Sequence, residues 1–87
     1  MAARYALVMR PSARRDLKRL PVAVLRRIDA QILSLAEEPF PPDAKKLEGL
    51  EGLHRVRVGD YRILYTVDTK QRVVTIAKLR HRREAYR

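Results

Sequence analysis

His54-Arg55-Val56-Arg57-Val58-Gly59-Asp60-Tyr61-Arg62-Ile63-Leu64-Tyr65-Thr66-Val67 is the stretch that decides the fold. Two runs of alternating apolar, β-branched and aromatic residues flank Gly59-Asp60, the signal of a hairpin with a two-residue turn. Such a turn pairs Val58 with Tyr61, Arg57 with Arg62, Val56 with Ile63, and Arg55 with Leu64. Strand alternation then puts Val56, Val58, Tyr61, Ile63, Tyr65 and Val67 on one face, and Arg55, Arg57 and Arg62 on the other. Arg57 and Arg62 come directly opposite each other. Like charges at such a pair destabilise it, and a phosphate bound between them would relieve the repulsion. Two side chains splayed into solvent are the alternative, and a one-residue slip in register would undo the face assignment.

Upstream, Tyr5 to Met9 is a short apolar run stopped by Arg10-Pro11, which reads as a first strand. Pro11 suits the first turn of a helix, and Ala13, Leu17 and Leu20 then recur on one helical face until Pro21. From Val22 the apolar positions Leu25, Ile28, Ile32 and Leu35 continue at steps of three and four up to Pro39, a longer second helix antiparallel to the first. Pro39-Phe40-Pro41-Pro42-Asp43 is an extended loop, and the leucines of Leu47 to Leu53 pin a turn-rich approach to the hairpin. Downstream, Asp68 to Gln71 turns the chain into a last strand, Arg72 to Leu79. In that strand Val74 and Ile76 lie on one face and Val73, Ala77 and Leu79 on the other, so alternation does not place Arg80 beside Arg62. Arg80 to Arg87 leaves the sheet as a short tail or the start of a helix.

The expected architecture is α+β with the order β-α-α-β-β-β. It is a mostly antiparallel four-stranded sheet with two antiparallel helices packed on one face and a short C-terminal tail. Residues 1–87 make one domain, near the lower size limit for a workable core. Without cysteine there is no disulfide framework and no thiolate zinc site, and His54 and His81 have no metal-ligand spacing with the carboxylates, so neither metal nor cofactor is expected. Met1 to Met9 lacks the apolar core of a signal peptide and no run is long enough to cross a membrane, so the chain reads as cytoplasmic.

Charge narrows the function further. Of a net +10, +7 falls between Arg55 and Arg87, where ten Lys/Arg face three Asp/Glu. So concentrated a positive potential attracts nucleic acid or another polyanion. The segment Arg80-His81-Arg82-Arg83-Glu84-Ala85-Tyr86-Arg87 adds a group that titrates near neutrality and an aromatic, the ingredients for handling an unstacked nucleotide. A frayed basic tail is the bland alternative. His54, at a strand start among apolar neighbours, reads as structural.

Several segments in order resemble the RelE/ParE superfamily of toxins from toxin–antitoxin pairs. They are Ala13-Arg14-Arg15-Asp16-Leu17 with Leu20-Pro21, Lys45-Lys46-Leu47, Gly52 to Tyr65, His81-Arg82 and Tyr86-Arg87. The resemblance implies a metal-independent endoribonuclease of the RelE type that cuts mRNA in the ribosomal A site and contacts 16S rRNA. It also implies neutralisation by an acidic antitoxin, in an assembly that can extend to a heterotetramer. By the same resemblance the catalytic surface comprises Arg57, Arg62, Arg80, His81, Arg82 and Tyr86, with Arg55, Lys45, Lys46, Arg83 and Arg87 holding RNA. RelE members use lysine where this chain has Arg55 and Arg57. Because arginine stays protonated, Arg57 is a poor general base, which leaves His81 as the proton carrier the resemblance favours. Two alternatives remain: a ParE-like inhibitor that binds DNA gyrase without cutting RNA, and a non-catalytic RNA- or ribosome-binding module.

Overall fold

A computed structural model describes residues 4–49 and 52–82. The elements run β1 (Ala6–Met9), α1 (Pro11–Lys18), α2 (Val22–Leu35), β2 (Lys45–Lys46), β3 (Leu53–Val58), β4 (Tyr61–Asp68) and β5 (Val73–His81). The strands form one sheet in the order β1-β5-β4-β3-β2, antiparallel except for the parallel β1–β5 pair. The sheet therefore has five strands rather than four. Lys45 and Lys46 make a two-residue edge strand against Arg55 and His54, too short for alternation to announce it.

Helix α1 begins at Pro11, whose fixed φ suits the first turn, and carries Arg15 and Lys18 where they favour the helix dipole at its C-terminal end. Neither helix has a side-chain N-cap, so both depend on the face they bury. That face is Ala13 of α1 with Ile28, Ile32 and Leu35 of α2, packed on Val56, Ile63, Tyr65, Val74, Ile76 and Leu79 of the sheet. Full burial of each large aliphatic side chain contributes about 1.5–3 kcal/mol. Both helices cover this one side, and the basic residues of the hairpin lie on the other.

The hairpin register is the one its turn dictates, with Arg57 opposite Arg62 and Val56 opposite Ile63. Gly59 takes φ 58°, the left-handed value required of the first central residue in a II′ turn. The last strand differs from its expected form in both extent and face. Arg72 has φ 57° and belongs to the turn, and the strand continues past Leu79 through Arg80 and His81. A β-bulge at Ala77 lets the pairing step from Tyr65↔Ile76 to Leu64↔Lys78. The extra residue reverses the alternation, so Val74, Ile76 and Leu79 all reach the core while Lys78 stays exposed.

The proline-rich loop is fastened from beneath. The Tyr65 hydroxyl, in a fully buried side chain, donates to the Pro39 carbonyl oxygen at 2.8 Å. The His54 ring lies between Phe40 and Tyr65, with centroids 5.4 and 5.6 Å away, in the structural role expected of it. Burial, and secondarily the Asp43 carboxylate, pushes the Tyr65 phenol up to about 12.

Candidate functional site

The register carries three arginines into one line. Arg57 on β3 stands opposite Arg62 on β4, and Arg62 stands opposite Arg80 on β5. Cross-strand neighbours on one face have Cβ atoms about 4.5–5.5 Å apart, so three guanidinium groups share a strip two strand spacings wide. The next row along the same face reads Lys45, Arg55, Leu64 and Lys78. Beyond the end of β5, the Arg82 backbone N–H donates to the Asp60 carbonyl oxygen at 2.6 Å, which continues the antiparallel pairing one residue further and sets Arg82 beside the hairpin turn. Arg57, Arg62 and Arg82 then line a cleft of about 260 Å³ together with Gly59, Asp60 and Tyr61. Arg80 extends the row beside the cleft rather than lining it.

Of the residues expected from sequence, Arg55, Arg57, Arg62, Arg80, Arg82 and Lys45 share the open face. His81 and Lys46 do not. His81 pairs with Tyr61, and the two rings meet edge to face at 5.0 Å on the side of the sheet that carries the helices. One residue of alternation beyond Arg80 puts it there. Lys46 likewise pairs with His54, whose ring packs on Tyr65, and so belongs to the helix side. Arg83, Tyr86 and Arg87 lie outside the described residues. Sequence reasoning passed over Lys78 and Asp60, the first because the bulge that turns it outward was unread, the second because it was taken only as a turn residue.

Each adjacent guanidinium pair repels by roughly 1 kcal/mol at a solvent-like dielectric, and a phosphodiester seated on the row reverses the sign of that term. Fixed cations of this kind stabilise charge that develops on a phosphoryl group, and their planar forks can hold two of its oxygens at once. They remain protonated at neutral pH and so offer no base. Fold and site together define a small α+β domain whose helices cover one sheet face and whose other face gathers a row of cations.

The profile of the ParE toxin of the type II toxin–antitoxin system, parDE, matches residues 7–86. The putative toxin RelE1 of Methanocaldococcus jannaschii is 36% identical over 76 residues, covering 84% of each chain. Toxin RelG of Mycobacterium tuberculosis is 32% identical over 84 residues, covering 95% of this chain and 97% of its own. Among solved structures, the archaeal RelE–RelB complex from Pyrococcus horikoshii OT3 contains a chain that superposes with a TM-score of 0.81 at 37% identity. That match covers 91% of this chain and 96% of the other. The chain belongs to the ParE toxin family of type II toxin–antitoxin systems.

Proposed function

We propose that this toxin is a ribosome-dependent endoribonuclease that cuts mRNA by attack of a ribose 2′-hydroxyl on the neighbouring phosphate. The arginine row Arg57–Arg62–Arg80, with Arg82 at its cleft, is the observation that carries the reading. In this step the O2′–P bond forms and the P–O5′ bond breaks, leaving a 2′,3′-cyclic phosphate and a 5′-hydroxyl. The 2′-hydroxyl proton must be taken up and a proton delivered to O5′. The row supplies charge stabilisation to the pentacoordinate phosphate, a role that needs no metal. It contains no group that titrates near neutrality, so the protons travel through solvent, the RNA of the ribosome, or Tyr86. An acidic antitoxin neutralises the protein by covering the same cations, as the RelE–RelB complexes among its structural relatives suggest.

A specific observation favours a second reading. The matching family profile is that of parDE toxins, and the His81 ring faces away from the row, as suits a gyrase-binding protein that does no acid–base chemistry. Primer extension on mRNA in translating extracts separates the two: discrete cuts within the reading frame are expected. Intact mRNA together with blocked supercoiling by purified gyrase would establish the alternative. Binding to single-stranded RNA should also fall about 100-fold for a fourfold rise in salt, the consequence of engaging about five phosphates.

A further inference from the structure

The arginine row depends on one strand irregularity, and α1 holds that irregularity in place. Strand β1 accompanies β5 only from Val73 to Ile76. Past that point the outer edge of β5 has no neighbouring strand among the described residues. Helix α1 follows at once, and two side chains on one of its faces, four residues apart, take over the edge. The Ser12 hydroxyl donates to the Ala77 carbonyl oxygen at 2.8 Å, and the Leu79 backbone N–H donates to Asp16 Oδ2 at 3.1 Å. These contacts bracket the bulge, one at the inserted residue and one two residues beyond it.

We infer that Asp16 and Ser12 are positioning residues for the cation row, holding the Ala77 bulge so that Arg80 stands beside Arg62 on the open face. The geometry leaves little latitude. Were Ala77 to join the ladder as a regular strand residue instead of bulging, the alternation set by Val74 and Ile76 would carry on to Lys78 and Arg80, turning both toward the helices and Leu79 outward. Burial of Leu79 opposes such a slip, but it does not fix where along the strand the extra residue sits or how firmly Arg80 is aimed. Among the described residues, Asp16 and Ser12 satisfy backbone groups at that place. Unlike the cations it orders, this pair contacts the backbone of β5 and is not part of the row itself.

The proposal is tested in the full-length protein by three variants. Asp16→Ala should speed hydrogen exchange of the Leu79 amide and weaken the cross-strand nuclear Overhauser contacts between Arg62 and Arg80. Where mRNA is cut, a step that rests on the nuclease reading, kcat should fall roughly 10- to 100-fold with KM unchanged or lower, because an arginine is mis-aimed but none is lost. Asp16→Asn keeps an oxygen acceptor and should restore kcat to within about threefold. Deleting Ala77 removes the bulge and leaves regular alternation, so in that background Asp16→Ala should cost little more. Unchanged Arg62–Arg80 contacts in Asp16→Ala overturn the proposal, as does an equal penalty with and without Ala77. If the parent cuts no mRNA, the nuclease reading fails, while the exchange and contact measurements still decide this one.

Discussion

Arg62 and Ile63 are adjacent in the chain, yet Ile63 is fully buried beneath the helices while Arg62 stands in the middle of the cation row. The same difference repeats along β3 and β4, where every second residue faces the core and the residues between, Arg55, Arg57 and Arg62 among them, face the open side. One face is held by apolar burial that grows stronger as more of it is packed. The other gathers like charges side by side. A short sheet in this way separates stability from function with a period of two, and neighbouring substitutions should fail in different ways.

The largest effect should come from Arg62→Ala. Removing the central guanidinium should lower mRNA cleavage roughly 10²- to 10³-fold while the protein keeps its cooperative melting transition. Primer extension beside a melting curve reads both, and full cleavage by the folded variant would break the division between the faces. Ile63→Ala tests the opposite side: a loss of about 2–5 kcal/mol in stability is expected, a large share of what a small domain has. Chemical denaturation measures it, and whatever fraction remains folded should bind RNA with unaltered affinity.

Tyr65→Phe probes the core face more gently. Loss of the hydrogen bond to Pro39 should cost about 1 kcal/mol. The phenol titrates at about 12 in the folded chain against 10.0 without the fold, so the native state holds this proton more tightly. Its contribution is fully present below pH 10 and is lost as the pH rises toward 12. Denaturation midpoints of the parent should therefore decline across that window, and the phenylalanine variant should lack this part of the decline. A parallel decline in both proteins would mean that other groups dominate.

The smallest effect is expected at His81. With its ring against Tyr61 on the helix side, His81→Gln should remove an aromatic contact of about 0.5–1.5 kcal/mol and change cleavage by less than about threefold at any pH. A pH–rate profile decides it. A tenfold loss with a flattened acid limb would place the imidazole at the reacting phosphate after all and blur the boundary between the two faces.

How far the sequence reached follows from the same periodicity. The Gly59–Asp60 turn and strict alternation on either side set the register of β3 and β4, so the Arg57–Arg62 pair was readable from that segment alone. Ala13, Ile28, Ile32 and Leu35 were readable as buried because helical spacing admits few other faces. The position of Arg80 was not. It turns on one inserted residue in β5, and the groups that hold that residue, Ser12 and Asp16, lie 65 and 63 positions away in the chain. The motif His81-Arg82 suggested two functional neighbours, but on a strand, neighbours face opposite ways. Lys45–Lys46 escaped notice as a strand because two residues have no period.

The parallel pairing of β1 with β5 also sets an order of events during synthesis. Ala6 finds its partner only when Val73 exists, and Ser12 and Asp16 only when Ala77 and Leu79 do. Contacts so distant along the chain form late and slowly. A nascent chain that has just released its two helices from the ribosome has neither the inner strand of the sheet nor the third arginine of the row. The complete row is therefore a property of the finished polypeptide rather than of the growing one. Any partner that recognises the row meets it only once the chain is complete.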